Sequence, residues 1–314
     1  MANQQKINLL NSLKTISHLK DCHEACFSLE NNTLDFHIPI GHLKADITTV
    51  LQSQHPLSTT TQPVIQQNIP KFLALKPPHT NIKNIIAVAS GKGGVGKSTI
   101  TFFLAHALQQ MGAKCGVLDA DIYGPSQSLL FDINEKPQMQ DDMFIPFSRS
   151  GIEVMSIGVL ANSAKAMMWR GPMISQALMQ LYQKTLWHEL DFLLVDLPPG
   201  TGDIALTLLQ KMPLTASLLV SNPHPLAEID VARCKNLFEQ LKAPVLLDVM
   251  NMVPSSYENQ DPKGFTLPFS EAYRCIEPKR HLQFIDLAHA LTNQLCLLPT
   301  YTENPFDQYN VTKA

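Results

Sequence analysis

The 314-residue sequence predicts a doubly wound α/β domain with a mostly parallel sheet, preceded by a small N-terminal α+β domain. Three observations carry this expectation. From Ile85 onward, short apolar segments alternate with helix-length ones, the pattern of strands buried on both faces. A glycine-rich loop, Gly91-Lys92-Gly93-Gly94-Val95-Gly96-Lys97-Ser98, follows the first apolar segment and opens a helical one. Aspartates close two more of the apolar segments, at Asp119 and Asp196.

In chain order, residues 1–75 read as the small α+β domain. Ile7 to Ile16 has helical spacing of apolar residues, Thr33 to Ile40 alternates like a half-buried strand, and His42 to Leu51 suits a helix. Leu57 to Pro63 is turn-rich or a short edge strand. Residues 76–84 read as a linker, because Pro77 and Pro78 break any helix and stiffen the chain. The α/β domain then occupies 85–300, with a tail at 301–314. Its expected strands are Ile85–Ser90, Cys115–Asp119, Gly151–Gly158, Phe192–Asp196, Ala216–Ser221 and Pro244–Val249. Helices are expected from Ser98 to about Met111 and from Pro172, a residue suited to a first helical turn, to about Trp187.

Composition excludes several classes. Hydrophobic residues make up 45 % and charged residues 16 %, enough apolar material for a sizeable core. A net charge of -3 without a long basic run argues against a nucleic-acid surface. No apolar run approaches the ~20 residues of a membrane span, and Met1 to Gln5 lacks a signal-peptide profile. The six scattered cysteines do not form a secreted disulfide framework, so the expectation is a cytoplasmic protein.

The loop fits G-x-x-x-x-G-K-[ST] in the strand–loop–helix context that gives this motif its meaning. Its backbone N–H groups and the helix N-terminus make a phosphate cradle. Gly91, Lys92, Gly93, Gly94, Val95, Gly96, Lys97, Ser98 and Thr99 are therefore the expected ATP-binding residues. Lys97 is expected on the β- and γ-phosphates and the Ser98 hydroxyl on Mg²⁺. Asp196, after Leu193-Leu194-Val195, has the form of the carboxylate found near that Mg²⁺. The segment Leu197-Pro198-Pro199-Gly200-Thr201-Gly202-Asp203 suits a switch loop, with Asp203 reading equally as a cap of the next helix.

The early lysine, Lys92, makes the loop resemble the deviant Walker A of dimeric ATPases that include the MinD, ParA, nitrogenase-iron-protein and Mrp/ApbC groups. That resemblance implies a homodimer in which Lys92 reaches the partner's nucleotide as a catalytic cation. It further implies that Asp121 positions the attacking water, that Asp119 sits in the outer shell of the metal, and that Asn251 reads adenine through its amide. Three longer segments, DADIYGPS at 119–126, WRGPM at 169–173 and DLPPGTGD at 196–203, resemble the Mrp/ApbC family of iron–sulfur cluster carriers. The family implies a [4Fe–4S] cluster held between subunits by a Cys-x-x-Cys pair, with apo iron–sulfur proteins or assembly factors as partners. This chain departs from the pattern: Asn251-Met252 is followed by Val253-Pro254-Ser255-Ser256, with no cysteine until Cys275. The alternative function is an ATP-gated protein-interaction switch that has lost its cluster site. A membrane switch is not expected, because Thr302 to Ala314 lacks a basic amphipathic pattern. Cys22 and Cys26 are spaced in a way only weakly suggestive of metal binding; Cys115, Cys234 and Cys296 read as buried small hydrophobes. His42, His106, His188 and His281 have no partners at ligand spacing and read as structural.

Overall fold

The computed structural model describes residues 2–30, 33–54, 64–72, 74, 81–161, 171–255, 264–270 and 282–300. The N-terminal unit contains helix α1 (Ala2–Leu13), strands β1 (Phe27–Glu30) and β2 (Thr33–Phe36), helix α2 (Lys44–Gln54) and strand β3 (Val64–Gln67). Its sheet has the order β1-β2-β3, antiparallel between the first pair and parallel between the second. The expected strand ends at Phe36 instead of Ile40, because the chain turns there into a short 3₁₀ segment at Gly41–Leu43 before α2. The segment Leu57 to Pro63 lies outside the described residues.

The larger unit begins with β4 (Ile82–Ser90), three residues before the expected start at Ile85. Asn84 interrupts its apolar run, yet is fully buried and hydrogen-bonded through both ends of its amide. Its side chain donates to Pro70 O and Asp191 O and accepts from Phe72 N at 3.0 Å, tying the chain before the strand to the sheet. There follow α3 (Lys97–Gln110), β5 (Cys115–Asp119), α4 (Gln127–Leu130), the hairpin β6 (Met139–Gln140) and β7 (Met143–Phe144), and β8 (Phe147–Arg149). Next are β9 (Ile152–Ser156), α5 (Ile157–Ala161), α6 (Gly171–Gln183), β10 (Leu190–Asp196) and α7 (Asp203–Lys211). The described chain closes with β11 (Ala216–Ser221), α8 (Pro225–Gln240), β12 (Val245–Val253), β13 (Phe265–Pro268) and α9 (Leu282–Leu295). Helix α6 stops four residues before the expected Trp187, and Thr185 instead bridges to Phe144.

Among the described residues the main sheet has eight strands in the order β13-β12-β11-β4-β10-β5-β9-β8. All neighbours are parallel except β8 and β9. Strands β5 and β10 are buried along their whole length, as a sheet covered on both faces requires. Helices α3 and α9 pack together over the sheet, with Phe103 stacked on Phe284 at 4.8 Å. The apolar core runs without a break from Leu13, Phe27 and Phe36 of the N-terminal unit to Phe102, Leu108 and Leu291. Among the described residues no helix is long and apolar enough to cross a membrane.

Candidate functional site

The order β11-β4-β10-β5 puts the first strand of the larger unit in the middle of the sheet, and the glycine-rich loop leaves its C-terminal end. Ligands of open parallel sheets collect at that end. Gly94 and Gly96 take positive φ values of 79° and 84°, which any side chain would strain. Gly91 is needed for space: a Cβ there would stand 2.9 Å from the carbonyl oxygen of Asp230. The loop therefore packs close against neighbouring backbone, and α3 starts at Lys97. The first-turn N–H groups of such a helix have no intrahelical acceptor and carry its positive end.

Lys97 is buried, and its ammonium is paired with Asp196, which is completely buried. Asp196 also accepts from Gln127 Nε2 at 2.8 Å on its other oxygen and from Thr101 Oγ1 at 3.5 Å. Register explains the next neighbour. Asp196 pairs with Asp119 across β10 and β5, so two carboxylates end adjacent strands side by side. Burial and then the charge of Asp196 push the Asp119 carboxyl up to about 7, against the pull of three donors. Those donors are Ser156 Oγ at 2.8 Å and the amides of Gln127 and Asp121 at 3.1 and 3.2 Å. Asp121 is also raised, by burial first, with Lys97 opposing; it accepts from the amides of Tyr123 and Gly124. The site thus concentrates three aspartates around one buried ammonium.

Asn251, at the end region of β12, is buried and donates through Nδ2 to Val95 O at 2.9 Å. Its amide also lies where a Cβ on Gly96 would go, so Asn251 and the loop are packed as one piece. The segment after Asp196 is fastened to β4 as well: Leu197 N donates to Val88 O, and Gly200 N to Ser90 O at 2.8 Å. Ser90 Oγ in turn donates to Lys92 O at 3.0 Å. Lys92, Ser98 and Thr99 are half-buried, Gly93 and Gly94 are exposed, and Asp203 opens α7 with an exposed side chain.

Gln127 was not legible as a site residue. It is wholly buried, and its Nε2 serves both Asp196 and the Ser98 carbonyl, at 2.8 and 3.0 Å. Its Oε1 is buried without a partner in the protein. A glutamine after a Gly-Pro-Ser turn carries no sequence signal for this; only the packing of α4 against α3 brings it in.

The rest of the expected inventory divides. Trp169 and Arg170 of the WRGPM segment, Cys275 and the tail lie outside the described residues. Val253, Pro254 and Ser255, which follow Asn251-Met252, carry no thiol. Among the described residues no group of three or more His, Cys, Asp or Glu side chains could hold a metal ion. His42 lies with His18 and His289, ring centroids 5.4–5.8 Å apart, brought together by the packing of the N-terminal unit on α9, and His281 lies outside the described residues.

With this geometry established, comparison with known proteins gives consistent results. The family profile described as "NUBPL iron-transfer P-loop NTPase" matches residues 81–274. A protein of Pseudomonas fragi named iron-sulfur cluster carrier protein is 51 % identical over 185 residues, covering 58 % of this chain and 64 % of its own length. The protein of that name in Escherichia coli K12 is 50 % identical over 179 residues, 56 % of this chain and 48 % of its own. The chain therefore spans roughly half to two thirds of these curated relatives. A nucleotide-binding protein of Archaeoglobus fulgidus, solved in complex with ADP, superposes with a TM-score of 0.52 at 31 % identity, over 71 % of this chain and 94 % of that one. The MinC:MinD complex of Aquifex aeolicus shares the fold, at a TM-score of 0.50 and 17 % identity over 66 % of this chain and 95 % of that one.

Proposed function

Because the chain belongs to the NUBPL family of iron-transfer P-loop NTPases, we propose that it is a cytoplasmic Mg-ATP-hydrolysing homodimer that serves iron–sulfur protein assembly. The observation that carries the nucleotide reading is the buried Lys97–Asp196 pair at the head of α3, beneath a loop kept narrow by Gly91 and open by Gly94 and Gly96. An incoming triphosphate competes for the ammonium, so binding trades one anion for another instead of burying a new charge. The donor set fits Mg²⁺: the Ser98 hydroxyl and the Asp196 carboxylate are hard oxygen ligands, with Asp119 behind them. When bound, the metal would offset the charge of the phosphates.

The remaining steps belong to the chain. Lys97 and the loop amides hold the β- and γ-phosphates in line. Asp121, raised by burial and ordered by the Tyr123 and Gly124 amides, orients the attacking water. Asn251 presents its amide to adenine from a position fixed by Val95. Lys92 of each subunit offsets charge on the other subunit's transferring phosphoryl group. Exposed Tyr123 and Leu129, on the loop and helix after Asp121, support pairing at this face.

The iron–sulfur cluster is cargo in the relatives' name, and the residues directly after Asn251, Met252 to Ser256, carry no thiol. That sequence favours a second reading, an ATP-gated switch that acts on assembly partners through its dimer state. Anaerobic reconstitution with iron and sulfide, followed by iron analysis of the desalted protein, separates the two. A stoichiometric cluster supports carriage; ATP hydrolysis without bound iron supports the switch. Finding neither bound iron nor ATP hydrolysis would sink both.

A further inference from the structure

Where the N-terminal unit meets the end of α9, three thiols converge that the sequence keeps far apart. Cys22, Cys26 and Cys296 are free and at most 7 % exposed. Cys26 Sγ lies 3.8 Å from His23 Nδ1 and 3.4 Å from Asn293 Oδ1. Cys22 Sγ lies 3.7 Å from the His23 carbonyl oxygen. Cys296 Sγ lies 3.9 Å from the His37 carbonyl oxygen, and the His37 amide donates to the Cys26 carbonyl at 2.8 Å. Two residues on the N-terminal unit and one at the end of α9 thus share one small volume.

The polar surroundings give the three thiols different roles. His23 Nε2 is 2.9 Å from the carbonyl of Asn293, an acceptor only, so the ring hydrogen sits on Nε2 and the Nδ1 lone pair faces Cys26. Cys26 is held well below the usual thiol range by hydrogen bonds from Cys22 and then Cys296, with His23 adding to the effect. Its two neighbours are pushed up, each first by its hydrogen bond to Cys26. One acidic thiol beside a base, flanked by two protonated thiols, is the arrangement of an oxidisable cysteine with resolving partners. The described residues do not converge on a metal position.

We propose that Cys26 is a hydroperoxide-sensitive site that closes a disulfide with one of the two thiols beside it. Cys26 gives its proton to His23 Nδ1, and the thiolate attacks the near oxygen of the hydroperoxide. The O–O bond breaks and water or alcohol leaves with the proton from His23, so Cys26 becomes a sulfenic acid. The thiol of Cys22 or Cys296 then attacks that sulfur, the S–S bond forms and water leaves. Two thiols are oxidised by two electrons, and the hydroperoxide is reduced by two. The oxidant reaches the buried sulfurs when the seam opens locally; the bonds to break there include His23 to Asn293, Gly41 N to Met111 O and Gln67 to Gly112. Closure with Cys296 fastens the N-terminal unit to α9, which packs on the helix headed by Lys97.

The test uses the reduced full-length chain, treated with hydrogen peroxide under native conditions, blocked with iodoacetamide and mapped by mass spectrometry. The expected product has Cys26 linked to Cys22 or Cys296, with two hydrogens lost, and is reversed by dithiothreitol. Cys22→Ser combined with Cys296→Ser should leave Cys26 as a sulfenic acid that dimedone traps, while either single variant still closes with the other partner. Recovery of Cys26 as a free, alkylated thiol from the wild-type chain overturns the proposal, and that readout needs no variant to fold. Formation of the link only in urea overturns it too. So does stoichiometric zinc binding that blocks oxidation, because the thiols would then be ligands.

Discussion

Replacing Lys97 with methionine tests the centre of the nucleotide site without any nucleotide present. In the folded chain the Lys97 side chain is 6 % exposed and that of Asp196 is 0 % exposed. Removing the ammonium leaves Asp196 beside Asp119, with Asp121 nearby and no buried cation between them. Breaking one half of a buried pair costs about 3–5 kcal/mol, because the remaining charge is uncompensated. For a chain of ordinary stability, about 5–15 kcal/mol, this is a large fraction. The double variant Lys97→Met with Asp196→Asn removes both charges and should recover most of that loss, ending within about 1–2 kcal/mol of wild type. Urea unfolding of the nucleotide-free protein, followed through tryptophan fluorescence with Trp187 buried, measures each corner of the cycle. Lys97→Met alone should also regain stability as pH falls, since Asp119 and Asp121, both raised by burial, then take up protons in the folded state. A single variant within about 1 kcal/mol of wild type would refute the reasoning. So would a double variant less stable than the single one.

Three further outcomes follow from the same structure. Lys92→Ala should bind ATP nearly as well as wild type but hydrolyse it more slowly; equal turnover sinks its cross-subunit role. Gln127→Leu removes a buried donor to Asp196 and should cost about 1.5–3 kcal/mol of stability, read by the same urea titration. A loss below about 0.5 kcal/mol would mean that the contact is dispensable. His289 is held down to about 3 by burial first, then by His42 and His18, with Cys26 opposing. Its folded pKa lies below its unfolded value near 6.5, so its contribution is complete above that value and is lost as pH falls toward 3. Asp119, raised to about 7, acts in the opposite sense, favouring the folded state as pH falls from 7 toward 4. His289→Phe should therefore flatten the acid loss of stability between pH 6.5 and 4 relative to wild type, and an unchanged slope there would exclude His289 as its source.

The nucleotide loop was legible because its information is local. Strand, glycine spacing, Lys97 and Ser98 lie within twenty residues, and their backbone demands can be read from residue type alone. The aspartates were legible as strand ends, but their mutual distance was not. Asp119 and Asp196 become neighbours through the register of β5 on β10, which no single segment specifies. Asn251 was expected for adenine from its place after a strand, whereas its amide bond to Val95 O is a contact that only the fold specifies. Gln127 carried no signal at all, being an ordinary polar residue until α4 packs beside α3. Expected strand and helix ends moved by a few residues where tertiary contacts intervened, as at Asn84 and Thr185.

By itself the sequence determined that this chain builds a parallel sheet around a phosphate loop and that no Cys-x-x-Cys follows Asn251. Periodicity and motif spacing encode those facts over short distances, where one residue's chemistry constrains its neighbours. Only the tertiary structure decided which charges share the site, and that His42 meets His18 and His289. It also brought Cys296 onto Cys26. Such contacts depend on how helices and strands from distant parts of the chain pack together, and packing is settled by the whole core at once.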